Sequence, residues 1–377
     1  MTRPLPDPVS YKANPLRKLR YVWELTGCVE ERSGASRSQI VRDMVRLYFR
    51  RGLGPLAYIE QALWRPQLND GDKLRALTCR EYELRIAQLN PPGFHCVSGH
   101  KAIEAALLRQ AGIPVPEYLG YLHEREGVGV AGERLTTLEQ LTSYLQGLAP
   151  LKVCFKLSLG QQGKGFAAAE VQVVDGVPMA RDLSPGALAV PLADFARERL
   201  ADGLGEGYLL QRYLEQHPVL ARFNPASVNT LRIWVVQGEA EVRIRGAVLR
   251  IGRAGSLTDN TSGGGLRSVV DLDSGRLGPA GYASLFSEEF THHPDSGVLI
   301  EGVQLPYWQE CVELARETLR VLPRLTFTGM DIAIGEQGPV VIETNEHPHR
   351  ISARNFDAPL SDLLDPEREL PDAQNFR

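Results

Sequence analysis

The stretch Gly329–His349, GMDIAIGEQGPVVIETNEHPH, reads as a β-hairpin whose apolar strands carry three oxygen-bearing side chains, Asp331, Glu343 and Asn345. A three-residue loop of Glu336, Gln337 and Gly338 would place glycine where such loops need a left-handed residue. Pro339 then opens the second strand, where a missing N–H is tolerated. In that register Gly335 faces Pro339 and Asp331 falls opposite Glu343. Directly opposed residues share a face, and Asn345, two positions on, joins them. Ile332, Ile334, Val340 and Ile342 are left to point into the core. Two facing carboxylates repel unless a cation lies between them. Hard oxygen ligands without cysteine suit Mg²⁺ or Mn²⁺. The alternative is an exposed strand face whose acids are solvated. His347 and His349 flank a proline turn without convergent geometry and read as surface histidines.

Upstream, LKVCFKL (Leu151–Leu157) reads as a strand, followed by the glycine-rich SLGQQGKG (Ser158–Gly165) and a second strand, AAAEVQVV. Gly160, Gly163 and Gly165 would let backbone N–H groups approach an anion, with Ser158 and Lys164 alongside. A Walker A loop is excluded, because its GK is followed by Ser or Thr and a helix, whereas a strand follows here. An ordinary hairpin turn is the alternative. Lys156, between Phe155 and Leu157, needs either an anion or an edge position, since an unpaired buried charge costs several kcal/mol (roughly).

The 377-residue length is enough for two to three domains. Composition is that of a globular chain, with 43% hydrophobic and 23% charged residues. A net charge of −4 gives no general attraction to nucleic acid or anionic lipid. The five cysteines are scattered without a CxxC pair, which argues against a disulfide framework or zinc site and for a reducing compartment. The N-terminus has no signal-like apolar segment and no window is long enough to span a bilayer, so a cytoplasmic location without membrane insertion is expected.

The first part reads as helical. SRSQIVRDMVRLYFRRG places Ile40, Val41, Met44, Leu47 and Tyr48 on one face, with Arg42, Arg46 and Arg50 on a solvated opposite face. NPPGF (Asn90–Phe94) breaks the pattern. HKAIEAALLRQAG is an amphipathic helix, and Thr136 with Glu139 predicts a capping box for TTLEQLTSYLQG. GYLLQRYL is a buried strand, TLRIWVVQGEAEVRIRGAVLRI a long hairpin turning at Gly238, and WQECVELARETLRVL a helix. Helices with mainly antiparallel strands in mixed order suggest α+β layers.

In this order the motifs resemble the ATP-grasp superfamily, over about Lys101 to Asn345. The resemblance implies an ATP-grasp fold, two α+β subdomains gripping ATP, here behind a mainly helical N-terminal region. The implied divisions are 1–95 (helical), 96–215 (first subdomain with the phosphate loop), 216–360 (second subdomain with the metal site) and 361–377 (tail). Lys101 and Lys156 match the lysines on the nucleotide phosphates, and SLGQQGKG matches the loop that closes over ATP. GYLLQRYLE resembles the hinge strand holding adenine by backbone groups at Arg212, Tyr213 and Leu214, with Gln211 where many members have Glu and Glu215 as a ribose ligand. Asp331, Glu343 and Asn345 match the magnesium ligands. SVNTLRIWVV with LRIGRAGSLTDNTSGGG looks most like the sugar-transfer-associated group, whose members are linked to cell-surface polysaccharide genes, and less closely like ligases that add glutamate to proteins.

The superfamily implies an ADP-forming carboxylate–amine (or thiol) ligase working through an acyl phosphate, with ATP and Mg²⁺ (or Mn²⁺) as cofactors. Its partners would be a small-molecule carboxylate and an amine or thiol acceptor. Arg232, Arg250 and Arg253 are assigned to the substrate carboxylate or transferring phosphoryl. Asn260, with Gly263 to Gly265, would order over the acceptor. Arg243 and Arg245 read as solvated. The alternatives are a kinase of a sugar or other small metabolite and a nucleotide-binding protein without turnover.

Overall fold

The computed structural model describes residues 15–160, 163–260, 263–284, 288–356 and 358–370. Two antiparallel sheets of seven strands dominate it. The first contains β1 (Tyr118–Leu122), β2 (Val128–Gly129), β3 (Leu151–Leu157), β4 (Ala167–Val174), β5 (Val177–Asp182), β6 (Ala189–Pro191) and β7 (Tyr208–Arg212), in the spatial order β2-β1-β7-β3-β4-β5-β6. The second contains β8 (Thr230–Gln237), β9 (Val242–Ile251), β10 (Leu266–Val270), β11 (Leu277–Tyr282), β12 (Glu289–Phe290), β13 (Phe327–Gly335) and β14 (Gly338–Asn345), ordered β12-β11-β10-β9-β8-β13-β14. This is the α+β layering expected from the alternation of strand and helix periods.

Each sheet buries one face under helices. In the first, Val153, Phe155, Tyr208 and Leu210 pack with Leu141 and Leu145 of the Leu138–Leu148 helix and Phe195 of the Leu192–Leu200 helix. In the second, Ile233, Val235, Met330, Ile332 and Ile334 meet Cys311, Ala315 and Leu319 of the Trp308–Val321 helix. Each such aliphatic side chain contributes roughly 1.5–3 kcal/mol when fully buried. Strand alternation then turns Cys154, Lys156, Leu209 and Gln211 of the first sheet, and Arg232 and Asp331 of the second, away from those cores.

The N-terminal helices form their own cluster around Ile40, Met44, Leu47 and Tyr58. The Arg37–Arg51 helix ends as expected on Gly52 at φ 65°, but it buries Asp43 and leaves Tyr48 exposed. Asp43 is buried because it receives Lys73 at 2.6 Å and Arg46 at 3.2 Å, so Arg46 serves an ion pair rather than a solvated face. The break at Asn90–Phe94 falls inside the packing of the second sheet. Asn90 is fully buried, donates to the Phe327 carbonyl at 2.8 Å and accepts from the Thr326 and Phe327 N–H groups. The Leu138–Leu148 helix is capped one residue later than predicted, by Thr137 accepting from Gln140 N–H, while the Gln140 side chain accepts from Thr136 N–H.

Arg243 and Arg245 also depart from expectation. Arg245 is only 3% exposed, and its guanidinium donates to the carbonyls of Arg368 (2.7 Å) and Asp365, while Arg243 donates to the Pro366 carbonyl at 2.9 Å. The strand face expected to meet water is covered by the chain that returns after the last helix. Among the described residues, no helix is long and apolar enough to cross a membrane.

Candidate active site

The opening hairpin brings Asp331 opposite Glu343 and Gly329 opposite Asn345, as the sequence predicts, but by a different route. The turn is a tight one: Gly335 pairs with Gly338 rather than with Pro339, and Ile332 pairs with Val341. A bulge at Ile342 then inserts one residue and restores the Asp331–Glu343 pair. Without that bulge Glu343 would face Met330, on the core side, because a one-residue slip inverts every side chain. Val341 and Thr344 are buried where Val340 and Ile342 were expected to be.

Around Asp331 lies a dense ion network. Its carboxylate is 1% exposed and receives Arg232 through two bonds, Nε to Oδ1 and Nη2 to Oδ2 (2.9 Å). Arg250 adds a bond to the same Oδ2 at 2.9 Å, then reaches Thr230 Oγ1 at 3.1 Å and Asp259 Oδ1 at 3.4 Å. Asp259 in turn accepts from Thr230 N–H at 2.8 Å. Burial alone would raise the Asp331 carboxyl, but Arg232 and Arg250 outweigh it and hold it below the usual carboxylate range. For Asp259 burial prevails over Arg250 and Thr230, and its pKa is raised. Thr230 and Asp259 were missed from sequence, although Asp259 begins the quoted DNTSGGG. Of the three predicted arginines only two meet at the Asp331 hairpin. Arg253 instead donates two hydrogen bonds to Asp295, both at 2.6 Å, and donates to Tyr282.

On the facing sheet the groups are less committed. Register puts Lys156 opposite Leu209 and Cys154 opposite Gln211, all away from the helix-covered core. The Lys156 ammonium has no carboxylate or hydrogen-bond acceptor among the described residues, although the residue is partly buried. Gln211 is 2% exposed and donates weakly to the Pro116 carbonyl at 3.5 Å, and its Oε1 is buried with no partner. A buried acceptor left open costs roughly 1–3 kcal/mol. Past Gln211, Arg212 pairs with Glu117, Tyr213 N–H donates to the Lys152 carbonyl at 2.9 Å, and Glu215 pairs with Lys152 at 2.5 Å. Leu214 lies against Gly335, where a Cβ would sit 3.2 Å from its Cδ1.

The Lys101–Gln110 helix joins the two sheets. Lys101 Nζ donates to the Gly160 carbonyl at 2.5 Å and stands 3.7 Å from Glu343 Oε2, while its N–H donates to the Ser158 carbonyl at 3.0 Å. One turn on, buried Glu104 accepts from Thr344 N–H at 2.8 Å and from the Thr344 hydroxyl. Burial pushes the Glu104 carboxyl up to about 8 against those bonds. A buried acid in an amphipathic helix was the available signal for this residue.

Ser158 is fully buried and donates to the Gly207 carbonyl at 3.1 Å, so its hydroxyl is already engaged. Gln161 and Gln162 of the glycine loop lie outside the described residues, as do Thr261 and Ser262 of DNTSGGG. The two loops touch: Gly163, at φ 70°, has Asn260 Nδ2 only 2.3 Å from where a Cβ would be. Gly165 likewise lies against Leu157, and Lys164 is exposed.

The donor set fits a hard divalent cation shared with phosphate. No group of three or more His, Cys, Asp or Glu able to cage a metal occurs among the described residues. Two carboxylates and an amide form an incomplete set, and Mg²⁺ usually completes such a set with water and substrate phosphates. Both Asp331 oxygens are bonded to guanidinium, but a carboxylate offers about four lone-pair sites and keeps some open. Asn345 Nδ2 donates to the Gly329 carbonyl at 3.2 Å, which leaves its Oδ1 as the oxygen that could ligate a cation. The His347 ring bonds Glu83 at 2.8 Å and His349 caps the Arg350–Asn355 turn, so neither joins this set. The open cavity of about 710 Å³ beside Leu214 is lined by Glu215, Glu310, Glu313, Glu317 and Glu336, a surface that repels a triphosphate.

Comparison with known proteins places this geometry in a family. The model for "Sugar-transfer associated ATP-grasp" matches residues 80–354. Similar solved structures include N5-carboxyaminoimidazole synthase from Aspergillus clavatus with ADP and 5-aminoimidazole ribonucleotide, at 13% identity and TM-score 0.42 over 78% of this chain and 59% of that one. Biotin carboxylase from Campylobacter jejuni follows at 11% identity and TM-score 0.41, over 73% of this chain and 47% of that one. D-alanyl-alanine synthetase A from Vibrio cholerae matches at 12% identity and TM-score 0.38, over 67% of this chain and 56% of that one. The chain thus spans well under two thirds of these proteins. A search of curated proteins found no match. The family assignment rests on the sequence model and covers the helix, both sheets and the ion network together: this chain belongs to the sugar-transfer-associated ATP-grasp family, and its fold is the ATP-grasp fold.

Proposed function

We propose that the protein is an ADP-forming ligase that activates a carboxylate with ATP and joins it to an amine or thiol. The observation that carries this reading is the cleft itself. Lys101 stands 3.7 Å from Glu343 on a hairpin that also bears Asp331 and Asn345, and Lys156 lies on the face of the first sheet turned away from its helix-covered core. Lys101 and Lys156 hold the phosphates, the Arg212–Leu214 backbone groups left over from the Arg212 and Tyr213 N–H bonds to Glu117 and Lys152, together with the open Gln211 oxygen, hold the base, and Glu215 lies at the ribose end. Bound Mg²⁺, held by Asp331, Glu343 and Asn345, supplies charge neutralisation for the triphosphate.

Arg232 and Arg250 face the same space and orient the substrate carboxylate for in-line attack on the γ-phosphorus, giving an acyl phosphate and ADP. The acceptor then displaces phosphate from the acyl carbon. The loops around Gly163 and Asn260 exclude water from that mixed anhydride. Catalysis on this reading is positioning and charge neutralisation. A setting in cell-surface polysaccharide or related biosynthesis is the context that the family name supports.

Hydroxylamine separates this from transfer to a hydroxyl. Incubation with ATP, Mg²⁺, a desalted metabolite pool and hydroxylamine yields an acyl hydroxamate if a carboxylate is activated. A hydroxylamine-stable phosphate ester with no hydroxamate would make the protein a kinase and remove the ligase reading.

A further inference from the structure

Most charged groups on this face of the second sheet are paired, but Arg267 has no partner among the described residues. It lies on β10 with Arg250 opposite on one side and Gly281, which has no side chain, on the other. Opposed residues share a face, and Arg232 faces Val248, two residues from Arg250, so Arg250 and Arg267 lie on the sheet face of Asp331 and Arg232, one alternation further along the strands. Unlike those three, the half-buried Arg267 guanidinium has neither a carboxylate nor a carbonyl partner among the described residues. Its pKa is lowered to about 10 by burial.

A second cation hangs over the same face. Phe356 packs on Trp234 and against Gly246, which brings the Arg350–Asn355 turn across the second sheet. From that turn Arg354 donates to the Ala283 and Ser284 carbonyls at 2.8 and 2.7 Å, while its Nε is buried without a partner. Burial and then the Arg267 and Arg65 charges lower its pKa to about 10. The carboxylate that acts on it, Glu60, is already held by Arg350 at 2.5 Å. Two neighbouring guanidiniums, partly desolvated and mutually repelling, are costly unless an anion joins them.

We propose that Arg267 and Arg354 form a second anion subsite, which takes a phosphate or carboxylate carried by the substrate at the end remote from its reacting carboxylate. β10 lies three strand steps from β13, a separation of roughly 14 Å at 4.7–4.9 Å per step. The substrate class is therefore an elongated acid with a second anionic group, longer than a simple amino acid. This inference rests on the ligase reading for the reacting end only, since the arginine pair stands on its own geometry.

Equilibrium dialysis of labelled inorganic phosphate against the full chain, with and without saturating ADP and Mg²⁺, tests it. Wild type binds phosphate in both conditions. Arg267→Met and Arg354→Met bind it at least tenfold more weakly, with ADP·Mg²⁺ binding unchanged. Displacement by succinate marks a carboxylate-bearing substrate, and resistance to succinate marks a phosphorylated one. Phosphate binding insensitive to both substitutions would put the ion elsewhere and overturn the proposal, as would absence of binding by wild type. Unliganded Arg267→Met should unfold no earlier than wild type, because it removes an unpaired charge. Earlier unfolding would make Arg267 a structural residue and also overturn it. If wild type fails to bind ADP·Mg²⁺, the ligase reading falls alone, because the nucleotide-free arm still scores the arginine pair.

Discussion

The two faces of the cleft differ in how far their polar groups are satisfied before any ligand arrives. On the first sheet Lys156 and the Gln211 oxygen are left open. Near the Asp331 hairpin of the second sheet, Arg232, Arg250, Asp259, Thr230 and Asp331 satisfy one another. On the proposed reading, the first arrangement stores the cost of open groups and recovers it when nucleotide binds. The second keeps Asp331 ionised and fixed in place at any pH where a nucleotide is itself fully charged, which is the preorganisation that positioning chemistry requires. Arg267 on the second sheet and Arg354 on the turn that crosses it are the exception, and the proposed anion subsite rests on that contrast.

The contrast breaks most visibly at Asp331. Asp331→Ala leaves Arg232 without a carboxylate and Arg250 with Asp259 alone, and should cost about 3–5 kcal/mol, measured by urea unfolding, along with the ADP·Mg²⁺ stabilisation. In wild type the Asp331 pKa lies below its ordinary value of 3.8. Its contribution is therefore complete above that pH and is lost as pH falls through the lower folded value.

Glu104 has the opposite sign, with a folded pKa near 8 against an ordinary 4.5. The native state holds the extra proton, so stability should decline as pH rises between those values. Glu104→Gln keeps an oxygen for Thr344 and should flatten that decline, read by unfolding at pH 5 and pH 8. An unchanged slope would show that Glu104 is not the group responsible.

Arg245 sharpens the comparison from outside the cleft. Arg245→Met removes the bonds to the Asp365 and Arg368 carbonyls and should cost roughly 1.5–3 kcal/mol while the ADP·Mg²⁺ shift in Tm stays intact. The smallest effect is expected at Gly163, whose φ of 70° a side chain resists. Gly163→Ala should weaken nucleotide binding by about 1–2 kcal/mol in a calorimetric titration, and the Asn260 side chain can move aside.

Much of this was legible from sequence because it is local. The Asp331–Glu343–Asn345 face, the Lys101–Gln110 helix and the strand carrying Lys156 follow from alternation, glycine placement and helical spacing. The hairpin loop was not legible, since the Glu336–Gln337 turn and the Ile342 bulge together give the same Asp331 register as a longer loop without a bulge. Pairings between distant segments were also hidden. Arg245 looks solvated until the chain after Leu364 covers it, Arg253 looks free until Asp295 arrives, and Glu104 looks like an ordinary helix acid until Thr344 meets it. Period and propensity carry no information on which remote backbone returns to a given face.

The most direct test of the central claim follows the γ-phosphoryl group. Purified protein is incubated with γ-labelled ATP, Mg²⁺ and a desalted pool of small metabolites. The account predicts labelled inorganic phosphate and ADP that form together only when the pool is present, and neither product with Glu343→Gln. Label that stays on a metabolite would contradict it.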